Sequence, residues 1–353
     1  MTVDSYQNRI RGAWQGRISG CMLGKAVERF SMAEGYDALR DYLNEVNALP
    51  LRDYIPLAAE SVPETLFKPC CRGQMHMSLA DDDINYSVLA LMLLERHGDQ
   101  LTTTDVARAW LKHLPLASTF TAERAAYKYL LSHGSEWFPE GQALGFDITD
   151  CANNPYHNWI GAQIRADVYG WVCPGDPAKA AALVTQDAAL SHREEGIYGA
   201  VYIAALGALL ASGEALSDSA DAALAFIPAD SRCAQVVAKA QALVNDEHGG
   251  NIIRESFGDM SVVHTVNNLG LVVWALLSHP QDFGAAIGEV VTAGLDTDCN
   301  GATVGALWAL QGKPIPPHWL QPWGGRVGVS LAGISEITLE ELVERTVRVA
   351  ETL

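Results

Sequence analysis

Two groups of acidic residues are the part of this sequence best suited to chemistry. The first is Ala80-Asp81-Asp82-Asp83, and the second, more than two hundred residues later, is Asp296-Thr297-Asp298-Cys299-Asn300. Adjacent aspartates repel one another, and a compact fold tolerates this poorly unless a cation neutralises them. Hard divalent ions such as Mg²⁺ and Mn²⁺ prefer oxygen ligands. If folding brings the two groups together, they form a site for one or two such ions.

The first group also has a purely structural interpretation. Aspartates favour helix N-termini, where they accept hydrogen bonds from free N–H groups and interact favourably with the helix dipole. One or two of residues 81–83 satisfy that role and the third is surplus, so capping and metal binding both stay open here.

The second group favours metal binding more strongly. Residues two apart do not share a helix face, so Asp296 and Asp298 converge on one ion only from a turn. The helix expected after the turn carries small residues that allow close packing and would bury the turn; they are Gly301, Ala302, Gly305 and Ala306. A buried, unpaired aspartate is costly, so a cation is the economical explanation.

Helical periodicity dominates the elements that must position these residues. Residues 6–22 carry apolar side chains at helical spacing, with Arg9, Arg11 and Arg17 expected on the surface. Asp176-Pro177 and Thr338 predict helix starts. The remaining predicted helices are 84–96, 104–113, 177–190, a central buried 196–210, one from Ser231, and 263–278. Strand-like alternation is scarce, so we predict a single all-α domain, a multi-helix bundle over residues 1–353.

The long loops are predicted at 31–80, 134–160, 246–262 and 311–336. Loops on a rigid scaffold commonly carry function. Four tryptophans could stack on a base or sugar ring, although each alone is more often a packing residue; they are Trp159, Trp171, Trp319 and Trp323. His264 likewise is either a buried, hydrogen-bonded histidine or part of a substrate cleft.

Composition limits the possible functions. The net charge of −18 argues against nucleic-acid binding, which needs clustered Lys and Arg. No apolar run is long enough to span a membrane, and residues 1–7 lack the features of a signal peptide. The 7 cysteines are scattered without a zinc-like pair, so we expect a reduced, cytoplasmic protein. No Gly-x-Ser-x-Gly, Walker or Gly-x-Gly-x-x-Gly motif is present, and neighbouring aspartates would suppress a Cys299 thiolate.

The motifs Ala-Asp-Asp-Asp at 80–83 and Gly-Leu-Asp-Thr-Asp-Cys-Asn-Gly-Ala-Thr-Val-Gly-Ala-Leu at 294–307 resemble those of the ADP-ribosylglycohydrolases. Three further segments, 20–28, 160–165 and 191–200, are similar to family motifs and occur in the family's order. The resemblance implies an all-α orthogonal bundle with two Mg²⁺ or Mn²⁺ ions at the base of a cleft. An ADP-ribosylated small molecule or protein adduct would bind there and be hydrolysed at C1″ of the distal ribose.

Residue roles follow from the same resemblance. The resemblance implies Asp81, Asp82, Asp296 and Asp298 as metal ligands, and the neighbouring Asp83 and Cys299 are added as expected ligands; the expected catalytic residues are Glu28, Asp82 and Asp298. The resemblance implies that His192 and Gly196 line the substrate cleft and that Gly161 lies in a substrate loop; Asn158, Tyr198 and His264 are further expected substrate-binding residues. In the implied mechanism, the ions grip ribose hydroxyls and activate water, a carboxylate such as Glu28 accepts a proton, and carboxylates stabilise the oxocarbenium-like transition state.

Two departures from the family pattern keep alternatives open. Ala80 and Cys299 stand where members usually carry Thr or Ser, so two hydroxyl ligands are lost, while Asp83 supplies a different oxygen ligand. A thiol is a poor ligand for Mg²⁺ and a somewhat better one for Mn²⁺. The alternatives are a hydrolase of small N-ribosides with the same core, and a catalytically silent member that only binds a ligand.

Overall fold

The protein is described by a computed structural model over residues 3–58, 62–133 and 145–353. It has the predicted all-α fold. The helices are α1 Val3–Lys25, α2 Glu28–Glu45, α3 Asp82–His97, α4 Thr103–His113, α5 Thr121–His133, α6 Asp167–Trp171, α7 Pro177–Ala188, α8 Glu194–Ser212, α9 Leu216–Ala223, α10 Arg232–Ala242, α11 Gly249–Ser256, α12 Thr265–Ser278, α13 Phe283–Thr292, α14 Thr297–Leu310 and α15 Leu339–Thr352. Strands β1 Arg326–Leu331 and β2 Ile334–Thr338 form an antiparallel hairpin, with Val327 opposite Ile337.

The centre of the fold is the close contact between α1 and α14. A Cβ atom on Gly20 would lie 1.9 Å from the carbonyl oxygen of Gly301, so only glycine allows this approach. A Cβ on Gly24 would similarly meet the carbonyl oxygen of Thr297 at 2.1 Å. The small residues of α14 therefore do what the sequence predicted, and the turn that precedes α14 is buried in the protein.

The predicted helix starts are present. Asp176 caps α7 through the amide of Lys179 at 3.0 Å, and the hydroxyl of Thr338 accepts from the amide of Glu341 at 3.2 Å. Helix α8 is the predicted central buried helix. Within the described residues it is the one helix long and apolar enough to cross a membrane, and 78% of its apolar window is buried inside the fold.

The surface position predicted for Arg17 is wrong. Its side chain is fully buried, and its guanidinium contacts Asp167 at 2.8 Å and Asp83 at 3.3 Å. The reason is that α1 is covered on more than one side. Helix α14 packs on the glycine face of α1, while α3 and the first residue of α6 supply carboxylates to a face of α1 that its sequence shows as polar.

Three of the four predicted long loops contain regular structure. Most of α2 lies in 31–80, with a break at Gly35 (φ 84°), and Leu39, Tyr42 and Leu43 form its buried face. Helix α11 lies in 246–262, and β1 with part of β2 lies in 311–336. Of the fourth, 134–160, residues 134–144 lie outside the described part of the chain, and Ile148–Ala152 forms a 3₁₀ turn.

Candidate metal and substrate site

Three helix N-termini meet at the two acidic groups. Glu28 is the first residue of α2, Asp81 is the N-cap of α3, and Asp296 is the N-cap of α14. Each N-terminus places the positive end of a helix dipole near a carboxylate, which favours the ionised form. The predicted meeting of residues 81–83 with 296–298 is therefore present in the structure.

The segment before Asp81 is anchored by the hairpin. The amide of Ser78 donates to the carbonyl of Arg326 at 3.0 Å, and the amide of Gly328 donates back to the carbonyl of Ser78 at 3.0 Å. A Cβ on Gly328 would lie 2.5 Å from that carbonyl oxygen, so glycine is required for the contact. This bridge fixes where the chain enters α3 and so where its aspartates stand.

Glu28, Asp296 and Asp298 form the open part of the cluster. One carboxylate oxygen from each lies within 4.8 Å of the others, close enough to share one ion. Asp296 and Asp298 are 4% and 2% exposed, whereas Glu28 is partly exposed. A second grouping of the same kind joins Asp83, Asp298 and the Cys299 thiol.

The proton affinities of this cluster show how strongly its charges repel. The nearby Asp298 carboxylate, aided by burial, raises the pKa of Glu28 to about 10. Burial, followed by the Asp298 charge, raises the pKa of Asp296 well above its usual value, and burial with Asp81 does the same to Asp82. Burial also raises the pKa of the Cys299 thiol, which agrees with the predicted exclusion of a thiolate nucleophile.

Asp81 and Asp83 are in a different situation, because each has a basic partner. The Lys25 ammonium forms an ion pair with Asp81 Oδ2, and Arg17 contacts Asp83. Although burial opposes it, Lys25 lowers the pKa of Asp81. Burial still raises the pKa of Asp83 well above its usual value. Neither residue is on the cavity wall described below.

The open carboxylates suit a divalent cation of the hard type. Asp296 Oδ1 is buried and has no hydrogen-bond partner within the described residues, and such an atom is expensive unless something binds it. Oxygen-only ligands from Glu28, Asp296 and Asp298 match the preference of Mg²⁺ or Mn²⁺. The residues present therefore fit a divalent ion.

The open carboxylates form the floor of a cavity of about 350 Å³. Its polar lining comes mainly from Glu28, Asp82, Asp296, Asp298 and Glu123. Its apolar wall is built from Met32, Phe120, Trp159, Ile160, Ile164, Val262 and Val263. No Lys or Arg lines the cavity within the described part of the chain, and residues 1–2, 59–61 and 134–144 contain none.

Two of the predicted substrate-binding residues lie at or next to the wall. Gly161 lines the cavity, and a Cβ there would lie 1.9 Å from Glu123 Oε1, so glycine allows the Glu123 carboxylate to approach. Asn158 stands directly before the wall residue Trp159, and its Oδ1 accepts from the amide of Gly196 at 3.3 Å. Their contact with substrate stays a prediction.

The other four are not among the cavity-lining residues. His192 is fully buried beneath Glu123, with Nε2 3.7 Å from Glu123 Oε1 and Nδ1 2.8 Å from Ser191 Oγ. Gly196 lies against the backbone of His157, and Tyr198 packs partly buried against the core. His264 is a hydrogen-bonded histidine, the first of its two predicted interpretations. Its Nδ1 accepts from the amide of Val266 at 3.2 Å and caps α12.

Of the four loop tryptophans, Trp159 lines the cavity. The indoles of Trp171, Trp319 and Trp323 are buried in the core at 0–1% exposure. Trp159 also forms a backbone bridge with His264, which holds the 261–264 segment against the cavity.

Glu123 was missed by the sequence analysis. It is 3% exposed, its Oε1 accepts from Arg165 at 2.8 Å, and burial raises its pKa. Arg165 in turn contacts Asp187 at 2.5 Å and Ser191 Oγ at 2.9 Å. In the sequence, Glu123 is one polar residue in an amphipathic helix, and nothing local marks it as buried.

Asn268 was also missed as a positioning residue. Its Oδ1 accepts from the amide of Asp296 at 3.2 Å and from Asn300 Nδ2 at 2.7 Å. Its Nδ2 donates to the carbonyls of Val262 and His264 at 2.9 and 2.8 Å. One buried amide therefore ties the metal-binding turn to the cavity wall, and its place in the sequence, at the polar start of an apolar helix, was the available signal.

Comparison with known proteins agrees with this geometry. A family model described as ADP-ribosylglycohydrolase matches residues 2–352. A solved structure titled "ADP-ribosylglycohydrolase-related protein complex" is similar in fold, with a TM-score of 0.63, 17% sequence identity, and 99% of each chain covered. No curated protein sequence matches the chain. Because the family model covers almost the whole sequence, the chain belongs to the ADP-ribosylglycohydrolase family.

Proposed function

We propose that this protein is a divalent-metal-dependent hydrolase that cleaves the glycosidic bond at the ribose C1″ of an ADP-ribosylated substrate. The observation that carries the proposal is the open cluster of Glu28, Asp296 and Asp298 on the floor of a cavity. Family membership supports glycohydrolase chemistry on ADP-ribosyl compounds. A Mg²⁺ or Mn²⁺ ion bound there would supply Lewis-acid polarisation and lower the pKa of a bound water.

We assign the other steps of the reaction to side chains that line the cavity. Glu28 on α2 and Asp82 on α3 are the partly exposed carboxylates of the cluster, and both line the cavity. We assign to one of these two carboxylates the role of accepting a proton from the attacking water. Asp298 belongs to both carboxylate groupings, one with Glu28 and Asp296 and one with Asp83 and Cys299, so we assign it the central part in holding the ion. The buried Glu123, which is paired with Arg165, lines the cavity beside Gly161, and we propose that it adds negative potential that favours positive charge developing at C1″.

The cavity wall offers contacts for the adenine and phosphate groups of an ADP-ribosylated substrate. Trp159 and the exposed Phe120 offer aromatic faces to an adenine or other ring. Thr121, the first residue of α5, lies at the wall, and the N-terminus of a helix favours a phosphate group.

A second candidate is hydrolysis of a small, uncharged N-riboside. One observation favours it: the cavity has acidic and apolar walls and no Lys or Arg lining within the described residues. A diphosphate carries negative charge that such walls do not neutralise, whereas a nucleoside-like molecule carries none. Ala80 and Cys299 fit the same idea, since they change the site away from the usual family pattern.

The decisive experiment is a substrate comparison. Metal-free protein is reloaded with Mg²⁺ or Mn²⁺ and incubated with ADP-ribosyl-arginine and with a panel of small N-ribosides, and products are followed by mass spectrometry. Release of ADP-ribose from the first supports the main proposal, and cleavage of the ribosides alone supports the second. Binding of ADP-ribose without turnover of any compound would instead identify a catalytically silent member.

A further inference from the structure

Lys25 occupies an unusual place for a lysine. It is the last residue of α1, its side chain is only 17% exposed, and its ammonium forms an ion pair with Asp81, whose side chain is 1% exposed. The ammonium also lies 5.4 Å from the centre of the Phe67 ring, a distance at which a cation interacts with an aromatic face. The ammonium of a lysine, a group that is usually hydrated at the surface, therefore lies inside the carboxylate cluster.

The pairing leaves Asp81 with no free oxygen. Its Oδ1 accepts from the amide of Asp83 at 3.0 Å, and its Oδ2 is held by Lys25. Asp83 in turn contacts Arg17, which also binds the Asp83 carbonyl at 2.9 Å. Asp81 and Asp83 therefore each have a cation of the protein beside them, while Asp83 Oδ2 is buried and has no hydrogen-bond partner in the described structure.

The opposite half of the cluster lies within the field of Lys25 but forms no ion pair of its own within the described residues. Glu28, Asp296 and Asp298 bring three carboxylate oxygens within 4.8 Å of one another, and Asp296 Oδ1 has no hydrogen-bond partner in the described structure. The dipole of α1 contributes to this asymmetry, because its C-terminal end favours a cation at Lys25.

We propose that the Lys25 ammonium takes the place of one divalent cation and that the cluster binds a single divalent ion, at Glu28, Asp296 and Asp298. This inference deepens the proposed function and rests on it for the identity of the site. It replaces the sequence-based expectation of two ions with one ion and one fixed ammonium. The ammonium carries a single charge and no open coordination position, so Asp81 acts in the electrostatics of the site without binding metal.

Metal stoichiometry tests the proposal without reference to activity. Protein freed of metal with a chelator is titrated with Mn²⁺ by calorimetry and by electron paramagnetic resonance. We expect one ion per chain and the hyperfine signature of an isolated Mn²⁺. Lys25→Met frees Asp81, and we expect it to bind two ions and to show the altered spectrum of a coupled pair. Lys25→Arg keeps the cation and should stay at one, as should the exposed control Lys112→Met.

Each result has a distinct meaning. Two coupled ions in the unmodified protein would overturn the role of Lys25 and leave metal-dependent hydrolysis intact. One ion in a folded Lys25→Met variant would also overturn it. No ion in the unmodified protein would overturn this inference and the proposed function together. Circular dichroism checks that Lys25→Met folds; if it does not, the unmodified protein and Lys25→Arg decide the question through the spectrum of bound Mn²⁺.

Discussion

Two regions of this molecule bury carboxylates side by side and treat them in opposite ways. Around Arg165, the carboxylates of Glu123 and Asp187 each receive a guanidinium hydrogen bond, and Asp187 also accepts from Tyr169 at 2.6 Å. At the floor of the cavity, Glu28, Asp296 and Asp298 face one another without a guanidinium. Both regions lie in the same core, so burial alone does not explain the difference.

The difference distinguishes carboxylates that stabilise the fold from carboxylates that can bind an external cation. A buried ion pair with satisfied hydrogen bonds holds elements in one arrangement, and removing one partner is strongly destabilising. A buried carboxylate cluster without a protein cation has strongly raised proton affinities and attracts an external cation. Arg165 therefore holds Glu123 in the cavity wall, while the cluster is the part of the core that we propose to bind metal and act on the substrate.

The largest expected effect comes from removing the centre of the uncompensated cluster. Asp298→Ala should reduce turnover by at least about 10⁴-fold, because metal binding and charge at the reacting carbon are lost together. The helical circular dichroism spectrum should hardly change, since a repelling charge is removed from the core. Steady-state kinetics with saturating Mn²⁺ measure the loss on the substrate found active.

A capping aspartate outside the cavity is the matched control for that variant. Asp176 caps α7 through the amide of Lys179, so Asp176→Ala should cost about 1 kcal/mol of stability and leave turnover unchanged. Turnover retained by Asp298→Ala would remove the metal mechanism from consideration.

A substitution in the region around Arg165 should lower the stability of the fold. Arg165→Met leaves Glu123 and Asp187 buried without their cation, and we expect a loss of about 3–5 kcal/mol in the free energy of unfolding. Urea unfolding followed by circular dichroism measures it. Arg326→Met removes an exposed pair with Glu336 and should have little effect. Equal losses in the two variants would contradict the distinction between the regions.

The dependence of stability on pH sharpens the comparison further. In the metal-free protein the Asp298 charge and burial raise the pKa of Glu28 to about 10 from its ordinary value of 4.5. Between these two pH values the folded state holds a proton that the unfolded state has released. The free energy of unfolding should therefore fall as pH rises from about 5 to 9, by at most about 1.4 kcal/mol per pH unit for this group. Asp81 has a lowered pKa and contributes the opposite trend, which is confined to acid pH.

Chemical denaturation at several pH values, with chelator and with Mg²⁺, checks this expectation. Bound cation keeps the carboxylates ionised and should flatten the profile, and Glu28→Gln should reduce the slope without metal. If the free energy of unfolding of the chelated protein instead rose with pH between about 5 and 9, the carboxylates of the cluster would have to be neutralised by the protein itself.

The sequence allowed the uncompensated region to be predicted more fully than the compensated one. Repeated aspartates at helix starts and the small residues of α14 are local signals, and they indicated both the site and its burial. The compensating partners are not local: Arg17 looks like a surface residue of α1, and Lys25 like an ordinary end of a helix. Their roles depend on which helices pack across from them. The hairpin was missed although Val327, Val329 and Leu331 alternate along β1 and are buried.

The smallest expected effect lies at the cavity rim, where no buried charge is involved. Phe120 lines the cavity yet is 54% exposed, and the exposed Val262 lines the same wall. Phe120→Ala should raise KM about fivefold, or ~1 kcal/mol, with kcat nearly unchanged, because it removes apolar contact with the substrate and leaves the carboxylates in place. Leu131 lies on α5, the helix that Phe120 directly precedes; it is 51% exposed and does not line the cavity, so Leu131→Ala should leave KM unchanged. A drop in kcat with Phe120→Ala would mean that the rim acts on the reacting carbon, and the separation between a binding wall and a reactive floor would fail.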